Sequence, residues 1–300
     1  MHNIYSEIQA RGAIIDLSQR AQFQLTGSDR IRYLNGQVSA DVRKLKADES
    51  LYACVMTAKG KMCADVFISP AADALRIDAE PILRENLAAR LERYIIADDC
   101  ELSDITDNTA LFFEIPPAND PTQPGQIRSR RMGFDGYDHV VDRTQSDAYW
   151  NRLAAERLVL DEATAETLRI EQGVPRWGFE LDENVIPVEA GLDRTAIDYY
   201  KGCYIGQEVI SRIKSIGHVN RRLCAFVSPE NTPLTPGMQL FDASEKAVGV
   251  LTSATFSFTF QKPIALGYLK RGIEPGVLSA RTASDGTACP VETKELPLIP

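Results

Sequence analysis

The sequence predicts an α+β protein, a mixed α/β region followed by a small all-β module. Two observations predict this. Strand-like and helix-like periodicities alternate along the chain as far as Arg222. Beyond it helical periodicity is absent, and short strand-like runs are divided by Pro-Gly, Pro-Leu-Thr-Pro and Asp-Gly turns. The composition permits such a fold: 300 residues with 44% hydrophobic and 25% charged side chains can bury a sizeable core and exclude disordered, collagen-like or low-complexity chains.

The elements follow in order. Residues 13–17 and 22–25 read as short strands. Ser28 is placed as the N-cap of a helix over 29–34, which Gly36 ends. Residues 51–57 and 62–69 form a hairpin around Lys59-Gly60-Lys61, and 75–78 is another strand. Pro81 starts an amphipathic helix with Leu83, Leu87, Leu91 and Tyr94 on one face. Residues 98–120 hold seven acids and no Lys or Arg, which predicts a solvated loop-and-strand segment. Pro116–Gly125 is a Pro-rich loop. Helices are predicted over 146–158 and 161–172, the second stopped by Gly173. Strands at 223–227, 238–241, 248–256 and 264–269 build a barrel-like module. The predicted domains are 1–222 and 223–300.

Charge and cysteine usage narrow the function classes. The net charge is −9, a poor prospect for broad nucleic-acid binding. No run approaches the length of a membrane span. The six cysteines form no C-x-x-C pair and none lies within four residues of His2, His139 or His218, so no resident metal site is expected. The first twenty residues carry Glu7 and Asp16 and lack an apolar core segment, which predicts a reduced, cytoplasmic protein. G-x-G-x-x-G, Walker, H-E-x-x-H and G-x-S-x-G motifs are all absent.

Two segments carry candidate chemistry. In Asp198–Arg212, Gly202 and Gly206 bracket Cys203, Lys201 stands two residues before the thiol, and a helix begins near Gln207. A neighbouring ammonium and a helix N-terminus both favour thiolate. The alternative is a tight Gly turn whose Cys merely packs. From Lys201 to Arg222 five bases face one acid, Glu208, leaving +4. This is either a solvated basic face, with Glu208 and Arg212 an i,i+4 pair, or a site for an anion. In Arg169–Glu180, Glu171 lies near a helix C-terminus, where the dipole disfavours an anion. It is either a surface carboxylate or one with a local partner or ligand. Glu189 adds a second carboxylate in the loop between.

Lys201-Gly-Cys-Tyr-Ile-Gly-Gln-Glu208 resembles the K-G-C-[FYW]-x-G-Q-E signature of the YgfZ family, folate-binding relatives of the glycine-cleavage T-protein that include mitochondrial iron–sulfur assembly factors. Arg30–Val42, Arg169–Glu180, Pro187–Leu192 and Ile264–Leu269 extend the resemblance over nearly the whole chain. It implies a GcvT-like architecture: a folate-binding α/β region of two intertwined subdomains and a C-terminal β-barrel around a central cavity. It implies that Glu171 contacts the pterin, that Lys201, Arg212 and Arg221 face the anionic folate tail, that Tyr204 and Glu189 belong to the same cofactor site, and that Cys203 is the functional thiol. The T-protein hairpin G-G-I-x-D-D corresponds to Gly60-Lys-Met-Cys-Ala-Asp65; Asp65 remains as a candidate catalytic acid, and Ala64 replaces the other.

The resulting expectation is a tetrahydrofolate-binding protein that supports iron–sulfur cluster assembly or repair in client enzymes, tRNA-modifying radical enzymes among them. It reads as an assembly factor rather than a turnover enzyme, cytoplasmic or in a mitochondrial matrix, with transient iron–sulfur client or assembly partners and with neither direct nucleic-acid nor membrane contact. Two alternatives stay open: a folate-dependent one-carbon (aminomethyl) transferase, and a folate-independent partner-binding scaffold.

Overall fold

Apolar residues, alternating in some strands, continuous in others and at helical spacing in the helices, form the buried interior of the computed structural model, which describes residues 4–118, 120, 126–282 and 288–299. The chain divides into two compact units, Met1–Asp161 with Leu192–Arg212, and Glu162–Gly191 with Ile213–Pro300. This grouping is discontinuous, unlike the single division expected at residue 222. The second unit takes its own helix and loop from the middle of the chain, because α5 (Glu162–Glu171) packs on barrel strands rather than on the preceding sheets.

In the first unit the elements run α1 (Ile4–Arg11), β1 (Ala13–Asp16), β2 (Ala21–Thr26), α2 (Arg30–Gln37), β3 (Leu51–Met56), β4 (Met62–Ala71), β5 (Ala74–Ala79), α3 (Arg84–Glu92), β6 (Glu101–Asp104), β7 (Thr109–Ile115), β8 (Ile127–Arg131), β9 (Phe134–Asp142), α4 (Ser146–Glu156) and β10 (Leu158–Val159). They form two five-stranded sheets, β10-β1-β7-β9-β8 and β3-β4-β5-β2-β6. The chain starts in the first sheet, builds the whole second sheet and returns, so the subdomains are intertwined as expected. In the second sheet, Phe23 lies opposite Ile77 and Ile77 opposite Ile68, an apolar face. The helices α2 and α3, which bury Leu34, Leu87 and Leu91, pack against this sheet. The intervening positions place Gln22 opposite Asp78 and Asp78 opposite Phe67. Gln22 and Asp65 are buried, and Asp78 and Phe67 are half-buried, on this face. Arg131 of β8 reaches it, pairing with Asp78 (2.7 Å) and Asp138 (2.7 Å) above the Phe67 ring. Charges so deeply placed persist only when paired.

In the second unit α5 is followed by a short 3-10 turn at Pro187–Ala190, and α6 (Gln207–Ile216) starts in the first unit and ends here. Six strands close an antiparallel barrel in the order β11-β14-β13-β12-β15-β16: β11 (Arg221–Val227), β12 (Gln239–Phe241), β13 (Ala247–Phe256), β14 (Pro263–Lys270), β15 (Val277–Arg281) and β16 (Ala288–Lys294). Phe226, Leu240, Val248, Leu251, Leu269 and Val291 fill its core. Closure leaves no free sheet edge.

Several local expectations change. Ser28 does not cap α2. Asp29 holds that position, and the Ser28 amide and hydroxyl instead bond Asp99. Gly36 lies inside α2, which continues to Gln37. The acidic segment is not uniformly solvated, because β7 carries Glu114 into the interior, where Arg157 pairs with it (2.6 Å) and His139 lies within hydrogen-bond distance (2.8 Å). Pro121, Pro124 and Gly125 of the predicted loop, the Asp285-Gly286 turn and His2 lie outside the described residues. No helix among the described residues is long and apolar enough to cross a membrane.

Candidate functional site

The Cys203 segment is mounted on the end of α2. Helix termini leave carbonyls without partners, and here the following segment of chain supplies donors. The buried Lys201 ammonium donates to the carbonyls of Asn35 (2.6 Å), Val38 (2.7 Å) and Ala40 (2.7 Å). The Asp198 amide donates to the Ser39 carbonyl, and the Ile205 amide to that of Gly36. Three donors on three acceptors exhaust the ammonium, so Lys201 is a structural clamp here rather than a residue facing an anion. Burial pulls its pKa down to about 8, against the attraction of Asp41. Tyr204 is buried beside it, the ammonium 5.0 Å from its ring centre.

This anchorage leaves the thiol outward. Cys203 is exposed, whereas Cys54, Cys224 and Cys289 are buried and Cys63 and Cys100 are partly covered. Burial pushes the Cys54, Cys63, Cys100, Cys224 and Cys289 thiols up. Tyr200, three residues earlier, is 92% exposed. Gly202 meets nothing nearby and has no left-handed φ, so only Gly206 of the two bracketing glycines is sterically required. Gly206 has φ of 92°, and a Cβ there would lie 2.8 Å from the Thr57 carbonyl oxygen and 3.1 Å from Met56 Cβ. On the other side, a Cβ on Gly60 would lie 2.8 Å from Val209 of α6. The β3–β4 hairpin and the cysteine loop therefore meet directly.

The same hairpin carries Asp65 into the polar layer between the sheets. Tyr52 donates its hydroxyl to Asp65 Oδ2 (3.0 Å). Burial pushes the Asp65 carboxyl up to about 6, against the attraction of Arg20, with Glu80 adding to the rise. Arg20 pairs with Asp78 (2.6 Å) and with Glu80. Among the described residues, Arg20 Nη2, Gln22 Nε2 and Asp65 Oδ1 are buried polar atoms without a hydrogen-bond partner. Two donors and one acceptor are thus left unmatched in one layer, at a cost that favours a ligand or solvent partner.

In the second unit Glu171 is fully buried at the end of α5. Its Oε1 accepts from the Thr259 amide (3.0 Å) and the Ser257 hydroxyl, pinning the β13–β14 turn. This is the local-partner alternative for Glu171, not a surface carboxylate. Glu189 and Arg221 do come together: Arg221 Nε donates to Glu189 Oε2 (3.0 Å), and its guanidinium lies 4.3 Å over the Tyr268 ring. Arg212 makes the anticipated pair with Glu208 on α6 (2.8 Å). Glu180, buried at the core of its own network, takes Arg169 (2.9 Å) and the Thr252 (2.7 Å) and Ser253 (2.5 Å) hydroxyls.

Arg20, Gln22 and Tyr52 were not singled out by sequence reasoning. Their signal was present as polar residues at alternate positions of strands whose other face is apolar, but such a pattern ordinarily marks a solvated face. Among the described residues, no group of three His, Cys, Asp or Glu side chains could hold a metal ion.

Comparison with known proteins extends this picture. Residues 221–298 match the family model of the glycine cleavage T-protein C-terminal barrel domain. The whole chain shares the fold of the glycine cleavage system aminomethyltransferase T from Bartonella henselae, with TM-score 0.85, 18% identity, and 98% of this chain and 88% of that one covered. A chloroplast protein of Arabidopsis thaliana named as a candidate transferase is 28% identical over 86% of this chain, which spans 65% of that relative's length. The aminomethyltransferase of Rubrobacter xylanophilus is 26% identical, covering 91% of this chain and 80% of its own. The tRNA-modifying protein YgfZ of Yersinia pseudotuberculosis is 29% identical, covering 70% and 69%. The chain therefore has a GcvT-like fold and carries the T-protein barrel domain.

Proposed function

We propose that this protein binds tetrahydrofolate and uses Cys203 to support iron–sulfur cluster assembly or repair in client enzymes, including enzymes that modify tRNA. One observation carries the reading. Of six cysteines, the one exposed thiol sits on a loop held by five backbone carbonyls at the end of α2. That arrangement presents a small nucleophilic or metal-ligating atom on a fixed mount, as a transient exchange with a partner requires. A cluster in transit is cargo here, not a resident group. The relative named as a tRNA-modifying protein supports the direction of the reading.

The residues present also fit a folate ring. A pterin amide edge offers a carbonyl acceptor beside an N–H donor, and Arg20 Nη2, Gln22 Nε2 and Asp65 Oδ1 offer the complementary set. These three would hold the ring, with Tyr52 orienting Asp65 through its hydroxyl. Bound tetrahydrofolate supplies a carrier for a one-carbon unit. Glu171, committed to Ser257 and Thr259, is assigned to stability rather than to the pterin.

Tetrahydrofolate titration of the purified protein followed by calorimetry tests the first half, with R20M and D65N alongside. Both variants should bind at least about tenfold more weakly, the equivalent of one lost buried hydrogen bond. Absence of binding to the folded wild type would favour the folate-independent scaffold. Client-enzyme activity with C203S tests the second half, and unchanged activity would remove the thiol from the mechanism.

A second reading, a one-carbon transferase, is favoured by Asp65. A carboxyl with its pKa near 6 can hold or release a proton near neutrality. Ala64 in place of a second acid stands against it. Methylene-tetrahydrofolate formed from small amine donors, and lost in D65N, would establish it.

A further inference from the structure

The Cys203 loop rests on two rails, the C-terminal end of α2 and the hairpin end of β3. Ile205 bonds the first through Gly36 (3.2 Å), and Gly206 presses on the second at Met56 and Thr57. Val38 and Val55 form a backbone bridge between the rails, reinforced by the Ser39 hydroxyl, which accepts from the Cys54 amide (2.8 Å). A further side chain spans both rails. Arg90 of α3 donates through Nη1 to the Gln37 side-chain oxygen (2.9 Å) and through Nη2 to the Met56 carbonyl (3.1 Å). Its guanidinium is stacked over the Tyr94 ring at 4.4 Å, which fixes its plane, and Cys63 also lies against it. Gln37 is itself buried and adjoins Gly36 in sequence.

We infer that Arg90 is a positioning residue for Cys203, setting the separation of the two rails between which the cysteine loop is seated. A planar guanidinium with several fixed donors suits this task, because it bonds two acceptors at a defined angle and spacing. A lysine ammonium at the same position can satisfy one rail firmly but does not enforce their spacing. The inference rests on the reading that Cys203 performs the chemistry, since only then does its placement matter to activity.

Site-resolved amide hydrogen exchange tests it. In R90M, protection of the Ile205 amide should fall by about tenfold or more, while protection of Phe113 in the first sheet stays at the wild-type value, because local opening is separable from global unfolding. R90K should lie between the two. Client-enzyme activity should fall in the same order. Equal loss of protection at Ile205 and Phe113, or unchanged protection at Ile205, would overturn the inference by showing a general stabilising role or none. If R90M does not fold, Q37L removes the α2 rail contact alone, and unchanged Ile205 exchange in that variant is equally decisive. The two readings fail separately. Unchanged client activity in C203S removes the function of the thiol, whereas the exchange measurement judges Arg90 whatever the thiol does.

Discussion

Replacing Lys201 by Met separates a structural clamp from an anion-binding residue. The substitution keeps most of the side-chain volume and removes three hydrogen bonds of 2.6–2.7 Å to the carbonyls of Asn35, Val38 and Ala40. Each carbonyl stranded in the interior costs about 1–3 kcal/mol. Removing the buried ammonium offsets part of this by sparing its desolvation. A net loss of about 3 kcal/mol is expected, at the lower end for three such acceptors. For a unit of this size that corresponds to a fall in melting temperature of about 6–12 °C. Urea denaturation at pH 7 measures it, with tetrahydrofolate affinity determined in parallel at a temperature where K201M is folded. Stability should fall and intrinsic folate affinity should not. A variant within about 0.5 kcal/mol of wild type, the range of an ordinary surface change, would refute the clamp. A selective loss of folate affinity at unchanged stability would return Lys201 to the anion site.

Three further outcomes are expected. Asp65 titrates near 6 in the folded protein against 3.8 as its ordinary value, so the folded state holds the proton more tightly and the carboxyl costs stability as pH rises through that window. Relative to D65N, wild type should lose about 2 kcal/mol between pH 4 and 6, and a flat difference across that range would refute it. Gly206→Ala forces a Cβ to 2.8 Å from the Thr57 oxygen at a φ of 92°, and should cost at least about 2 kcal/mol and displace the cysteine loop; a crystal structure of the variant with the loop unmoved would contradict this. Glu171→Gln weakens the charge-assisted bonds from Ser257 and Thr259 and should lower stability by about 1–3 kcal/mol with folate affinity unchanged, read by denaturation and calorimetry.

Much of the fold was legible wherever one periodicity dominated. Pro81 opens a 3-10 turn that leads into α3, and Leu87 and Leu91 are buried as their spacing requires. The β3–β4 hairpin and four of the six barrel strands lie where turn residues bound them. β15 and β16 were missed: their burial alternates, but small or polar residues such as Ala280, Cys289 and Thr293 take inward positions. The site was less legible, for a physical reason. Gly202 and Gly206 look alike in sequence, yet only Gly206 is forced, because the Thr57 carbonyl that crowds it is distant in the chain. Lys201 reads as a surface cation until the carbonyl of Asn35, 166 positions away, is placed beside it. Asp65 reads as a hairpin acid, and the burial that raises its pKa, like the distant Arg20 and Glu80 beside it, is announced by no local pattern.

The interleaving of the two sheets has a consequence for how the polypeptide matures. Ile15 pairs with Phe113, and the whole of β2–β6 lies between them in the chain. Closing that contact first would cost the entropy of a very long open loop, whereas the hairpins of β3, β4 and β5 join near neighbours. Loop-closure entropy therefore favours the second sheet as the earlier-forming body, with β1 unpaired until β7 is available. On a ribosome, β1 emerges long before its partner. During that interval its apolar Ala13, Ile14 and Ile15 are bare, and the nascent protein is most exposed to mispairing and to chaperone capture.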